Sequence, residues 1–305
     1  MLSAIAITLL FSPIMTVDEW TYERTHTVPS RMTKDKIEEE VQRQIKNRKD
    51  AGRWNEKYAA QNEKFLRTEI EGRALGFERT GPHLVSAGDW GSRMQVYMPN
   101  VSIDKAIANN LSVYDGELTA EIIDFEDLRK MRADIHEGDM RAMFASPVDL
   151  FVLTGYLPKT AEQQEPKLED GKTWKVWTSV GPFKTVYKTE LLYDPASPSK
   201  LLRAKSYTLA QRPVSWRLEK VVEVRSHHQV EGKWMPADFT IQRILGSEVH
   251  FTDRYKFVSL AKKELLPLSG YLKTNMTIFD NRAKDANGRV TGYSYTGKLK
   301  EIGKG

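Results

Sequence analysis

Few residues of this 305-residue chain are placed to do chemistry, and most of those are acids and histidines. Asp124 and Asp127 could pair as carboxylates for acid–base work. They stand at an expected strand–helix junction, where an aspartate usually serves as a cap. His227 and His228 are adjacent in an expected strand, so they point to opposite faces and do not easily share a metal. They read as surface or edge residues. His136, followed by Glu137-Gly138-Asp139, reads as a loop residue rather than a base. Gly171-Lys172-Thr173 imitates the end of a phosphate-binding loop, but Pro166 stands where its first glycine is needed. G-x-S-x-G, H-E-x-x-H and G-x-G-x-x-G do not occur. The chain has no cysteine, which removes disulfides, thiolate zinc sites, thiol nucleophiles and iron–sulfur clusters together. These observations predict no catalytic residue, no metal and no cofactor.

Large apolar side chains are the other resource. Met140, Met143, Phe144, Leu150, Phe151 and Leu153 fall within 139–156, too apolar a stretch for a surface connection between two β regions. Met and Phe pack adaptably, which suits a surface that parts to admit a chain. These six are the candidate ligand-binding residues of a hydrophobic cavity, and their segment is its lid or a static plug. Trp174, Trp177, Trp216 and Trp234 suit sheet-face packing or the wall of a cleft for an amphipathic ligand. Lys and Arg total 46 against 41 Asp and Glu. The resulting +5 is dilute and interleaved with acids, as in RTEIEGR, so nucleic acid is not an expected partner.

The elements that must position these residues follow from periodicity. Leu2 to Met15 (LSAIAITLLFSPIM) is apolar but shorter than the about 20 residues of a spanning helix. It suits the core of a signal peptide over 1–16, cleaved near Thr16, and otherwise a buried terminal strand or helix. The signal reading implies a secreted or periplasmic protein, peripheral to a membrane rather than spanning it. Residues 17–62 read as an N-terminal extension with a helix at 31–49, because Ile37, Val41 and Ile45 recur at i, i+4 and i+8. Ser30 is its candidate N-cap and Gly52 lies past its end. After Lys64 the period changes to 2. FLRTEIEGRA reads as a half-buried strand within 63–80, and SRMQVYM as another. Asp115-Gly116 marks a hairpin. EDLRKMRADI and SPVDLFVLTGY read as helical, with Pro147 in a first turn. KTAEQQEPKLEDGK reads as a loop. Over 174–258, strands follow one another with short turns and no helices between, which predicts an antiparallel meander. The tail, 297–305, reads as frayed.

The order of these elements, with LSVYDGELTAEII, MRAMFASPVDLFVLTG, ELLYDPASPSKLLRAKSY, VVEVRSHHQVEGKWMPADFTI and TNMTIFDNRAKDANGRVTGYSY, resembles the LolA-, LolB- and RseB-like superfamily of periplasmic lipoprotein-handling proteins. The resemblance covers about 60–300. It implies an α+β fold over 63–296: a strongly curved single antiparallel β-sheet, an unclosed half-barrel, with helices on its concave face. It also implies a non-enzymatic protein that holds a lipid or lipoprotein acyl chain in a hydrophobic cavity. A second expectation is an envelope sensor or scaffold acting through a protein partner. A third is a secreted hydrolase using a carboxylate pair.

Overall fold

The computed structural model describes residues 15–74, 76–88, 91–99, 107–125, 130–230, 232–284 and 290–300. Asp127, residues 1–14 of the expected signal and the end of the tail lie outside them.

Alternating apolar residues along most of the chain dictate strands, and among the described residues fifteen strands join in one sheet. In chain order they are β1 (Met15–Val28), β2 (Phe77–Gly88), β3 (Gly91–Pro99), β4 (Ile107–Tyr114), β5 (Leu118–Phe125), β6 (Lys130–Glu137), β7 (Glu162–Glu169), β8 (Lys172–Val180), β9 (Val186–Asp194), β10 (Ser197–Gln211), β11 (Val214–Val230), β12 (Lys233–Leu245), β13 (Glu248–Leu265), β14 (Thr277–Lys284) and β15 (Val290–Ser294). Their spatial order is β15-β14-β6-β5-β4-β3-β2-β1-β13-β12-β11-β10-β9-β8-β7. The sheet is open, with β15 and β7 at its edges. It is antiparallel except where β14 runs parallel to β6.

Among the described residues, three α-helices accompany it: α1 (Lys34–Asp50), α2 (Ala59–Ala74) and α3 (Pro147–Thr154). The eight residues of α3 pack on β2, β9, β10 and β12. A helix of that length is only about 12 Å long. Between β2 and β9 lie six strand spacings, about 29 Å in a flat sheet. Only a sheet curled around α3 can bring both strands to it, so the half-barrel follows from these contacts. Its concave core joins Trp20, Tyr22, Val85, Leu191, Ala204, Val222, Phe239 and Tyr255 to Val148, Leu150, Val152 and Leu153 of α3.

A second core lies under β4, β5, β6 and β14. Val113, Ala120, Ile122, Ala133, Ile135 and Ile278 are covered there by Leu268, Leu272, Met276 and Tyr295. Asp115 pins this covering segment by accepting the Leu268 amide (2.9 Å).

The helices α1 and α2 form a hairpin inserted between β1 and β2, with a core of its own made of Ile37, Val41, Ile45, Leu66 and Ala74. The apolar stripe of α1 thus docks on α2. Thr33, not Ser30, caps α1. The hairpin is rooted where the Arg31 and Met32 amides reach the Ala74 carbonyl (2.8 and 3.2 Å). Gly76 follows at φ 68, where a Cβ would lie 2.4 Å from the Val28 carbonyl oxygen, so only glycine fits.

Four sequence expectations are corrected. FLRTEIEGRA belongs to helix α2 and not to a strand. Leu66, Ile70 and Ala74 fit period 4 as well as period 2, and the segment is rich in Glu, Arg, Leu and Ala, which favour helix. The stripe of α1 decides between the two. Within EDLRKMRADI, residues from Lys130 onward form β6 and not a helix. Met131, Ala133 and Ile135 alternate into the second core. KTAEQQEPKLEDGK contains β7, a polar edge strand whose register shifts around Pro166. Pro is tolerated at such an edge, and charge there discourages further pairing. Finally, β1 falls inside the expected extension 17–62 yet lies in the middle of the sheet, between β2 and β13.

Candidate binding cleft

The segment leaving β6 builds the site. Gly138 turns it with φ 76, and Arg141–Met143 make one 3-10 turn before α3. Ser146 starts α3: its amide and hydroxyl both donate to the Asp149 carboxylate (2.8 and 2.9 Å). Pro147 occupies the first turn, where a missing N–H costs nothing. Lys220 of β11 forms an ion pair with the same carboxylate. The helix ends at Gly155, φ 76, whose amide reaches the Phe151 carbonyl (2.7 Å). The Tyr22 hydroxyl donates to the Leu153 carbonyl (2.7 Å), tying the helix to the middle of the sheet.

A cleft of about 510 Å³ opens beside the start of α3, between it, the end of β4 and the β8–β9 connection. This is within the range of ligand-binding pockets. Ala142, Ala145, Pro147, Leu150, Pro158, Val180 and Pro182 give it apolar surface, and Tyr114, Tyr156, Thr160 and Ser179 add hydroxyl-bearing side chains. Its fixed charge is Arg141, which is buried. Arg141 Nε and Nη2 bind the two oxygens of Asp139 (2.9 and 2.6 Å), Nη1 donates to the Gly88 carbonyl (2.7 Å), and Nη2 also reaches the Tyr156 hydroxyl (3.1 Å). Its guanidinium lies over the rings of Tyr114 and Tyr156. Burial works against this charge, but hydrogen bonding and attraction from Asp139 outweigh it and raise the pKa of Arg141. Asp139, the carboxylate in the lining, has both oxygens engaged by Arg141, so it holds the wall in place. Lys159 adds a second basic group to the lining. An apolar floor with basic and hydroxyl groups around it suits an amphipathic molecule with an anionic or ester head.

Of the six sequence-predicted site residues, Leu150 alone lines this cleft. Leu153 is fully buried in the concave core, and Phe151 packs partly buried against it. Phe144 shares a narrow gap with Leu150, Met94, Ser86 and Ser92. Met140 is half-buried and Met143 is exposed. The cleft residues that sequence reasoning missed are Tyr114, Arg141, Ala142, Ala145, Tyr156 and Val180. Asp139 and Arg141 two apart, ahead of the Ser146-Pro147 helix start, were the available signal.

The other candidates separate. His227 Nε2 meets the Leu201 carbonyl (2.7 Å), while His228 stacks on Phe257 (3.8 Å between centroids) beside Trp20. His228 therefore belongs to the concave aromatic cluster rather than to the surface. His136 stands in β6 near Asn281 (3.4 Å), not in a loop. Trp174 is buried, and Trp177 packs against the concave core. A partly buried charged cluster also lies on the concave face, where buried Asp253 accepts Arg24 Nε and Nη2 (2.8 and 2.9 Å) and meets His26 Nδ1 (2.7 Å). Among the described residues, no three His, Asp or Glu side chains converge as a metal site. Among them, too, no helix is long and apolar enough to cross a membrane.

No family model matches the chain, and no curated protein matches it. Solved structures do. A LolA superfamily protein from Nitrosomonas europaea aligns with a TM-score of 0.43 at 10% identity, over 86% of this chain and 91% of its own. A putative outer membrane lipoprotein-sorting protein domain from Vibrio parahaemolyticus aligns at 0.42 and 10%, over 84% and 88%. A DUF1329 family protein from Desulfovibrio piger aligns at 0.44 and 10%, over 84% and 89%.

Proposed function

We propose that this protein is a non-enzymatic binder of lipid or lipoprotein acyl chains, acting outside the cytoplasm, with the cleft beside α3 as its binding site. The cleft's composition carries the reading: about 510 Å³ of mainly apolar lining, closed on one side by a buried arginine whose position is fixed by four hydrogen bonds. Each CH₂ removed from water contributes about 0.8 kcal/mol, so a single acyl chain suffices for reversible capture. The apolar run at 2–15 supports export. The helical hairpin of α1 and α2 favours a second role, contact with an envelope protein. It has its own core and presents Phe65 and Tyr58 to solvent.

The test is titration with a fluorescent fatty acid. Ala142 is half-buried in the lining and outside the concave core, so Ala142→Trp fills the cleft at little cost in stability. The parent is expected to bind the probe, and Ala142→Trp to weaken binding by about tenfold or more, the loss of about 1.4 kcal/mol. Equal binding by the two proteins would place the site elsewhere. A parent that does not bind would remove the reading.

A further inference from the structure

In an antiparallel meander every second connection lies at the same end. The β8–β9, β10–β11 and β12–β13 connections therefore form one row along the end of the curved sheet, about 10 Å apart. All three carry large apolar side chains in water. Phe183 is 78% exposed at the first, with Val180 beside it. Val214 is 77% exposed at the second, next to the partly exposed Trp216. Leu245 and Val249 flank the third and are exposed as well. Phe183 and its neighbour Lys184 have φ 56 and 58, a backbone region unfavourable for residues with a side chain. The chain thus adopts a costly turn where it displays a phenyl ring.

The charges of this row are mainly basic. Lys184 and Arg212 stand at the first two tips and Arg243 close behind the third, against Glu248, while Arg217 and Glu219 pair with each other (2.9 Å). The opposite end of the sheet differs: its tips include Asp170-Gly171 and Asp194-Pro195. Isolated apolar knobs on separate hairpins, interspersed with Lys and Arg, do not make the continuous face that a folded partner would cover. They match a fluid interface, in which each knob dips among the acyl chains while the cations meet anionic headgroups.

We infer that this row of three hairpin tips docks the protein on an anionic lipid surface. The β8–β9 connection also walls the cleft, through Val180, Gly181 and Pro182. Docking would therefore set the cleft mouth beside the membrane. The inference stands apart from acyl-chain binding, since the tips are displayed whether or not the cleft is filled.

Co-sedimentation with vesicles of phosphatidylcholine containing about one third phosphatidylglycerol tests it. The parent is expected to partition onto these vesicles, more weakly onto pure phosphatidylcholine, and less as salt rises. The triple variant Phe183→Glu, Val214→Glu, Leu245→Glu is expected to lower partitioning by about tenfold or more. Leu168→Glu, an exposed residue near the Asp170 tip, is expected to change nothing. If the triple variant fails a circular dichroism check of folding, Phe183→Glu alone decides, with an expected several-fold loss. The inference is overturned if the parent does not partition, if the decisive variant partitions as the parent does, or if Leu168→Glu loses as much. Ala142→Trp should dock normally, so a failed cleft and a failed docking surface give different results.

Discussion

Leu153→Ala is expected to lower the free energy of unfolding by about 2–5 kcal/mol, the range for emptying a fully buried leucine site. Leu153 is 1% exposed. It sits on the side of α3 that meets the sheet, and its carbonyl accepts the Tyr22 hydroxyl. The Tyr22 ring makes edge contacts with Phe239, Tyr255 and Phe257, on β12 and β13. The curled sheet cannot follow a shortened side chain inward without disturbing these rings, so the cavity stays and its cost is paid. Domains are stable by only about 5–15 kcal/mol, so the change should be plain in urea or thermal melts. A loss below about 1 kcal/mol would mean that α3 lies loosely on the sheet. It would then behave as a lid rather than as the wedge around which the half-barrel closes.

Acid is expected to destabilise the protein well above the carboxylate range, through His83. This residue of β2 is buried, with neither ring nitrogen hydrogen-bonded, at the edge of the Tyr255 ring. Burial, helped by the positive charge of Arg24, lowers its pKa to about 3. The folded chain therefore keeps His83 neutral while the unfolded chain protonates it below about 6.5. Between these values the unfolded state binds the extra proton, so stability falls as pH falls, by up to about 1.4 kcal/mol per pH unit. From pH 7 to pH 5 this one group removes about 2 kcal/mol. His83→Leu should abolish that part of the pH dependence in urea unfolding, whatever it does to stability at pH 7. His228, also lowered by burial, acts in the same direction and remains. Asp253 has a depressed pKa: burial alone would raise it, but His26 and Arg24 outweigh that. Its contribution is lost only as pH falls below about 4, so it does not overlap this window. An unchanged slope between pH 7 and 5 in His83→Leu would show that His83 is hydrated or bonded in the folded protein.

The meander from β8 to β13 was legible because turn chemistry separates most of its strands: Asp194-Pro195, Gly232 and Gly246-Ser247. The helix α3 was legible from Pro147 and the apolar run behind it. Strand β1 was not. Trp20 and Tyr22 share their face with Arg24 and His26, and Glu19 is buried on the other face. Period 2 is present there, but polar groups satisfied by Asp253 and Arg93 conceal it. α2 was misread because its short apolar set fits two periods, and only the distant stripe of α1 chooses between them. Of the apolar cluster at 139–156, Leu150 lines the cleft, while Leu153 is buried in the concave core. A buried helix and a cavity wall demand the same composition, and periodicity does not tell which face meets empty space. The cleft itself depends on Tyr114, Arg141 and Val180, which join from β4, the turn before α3 and the end of β8. No local pattern records that meeting.

Native mass spectrometry of protein purified without detergent tests whether the cleft beside α3 holds an acyl chain without transforming it. The expected result is a population carrying one lipid-sized adduct, whose mass and fragments are those of an intact acyl-bearing molecule, and a marked loss of that population in Ala142→Trp. The bare chain alone, or the same adduct at the same occupancy in Ala142→Trp, would contradict it.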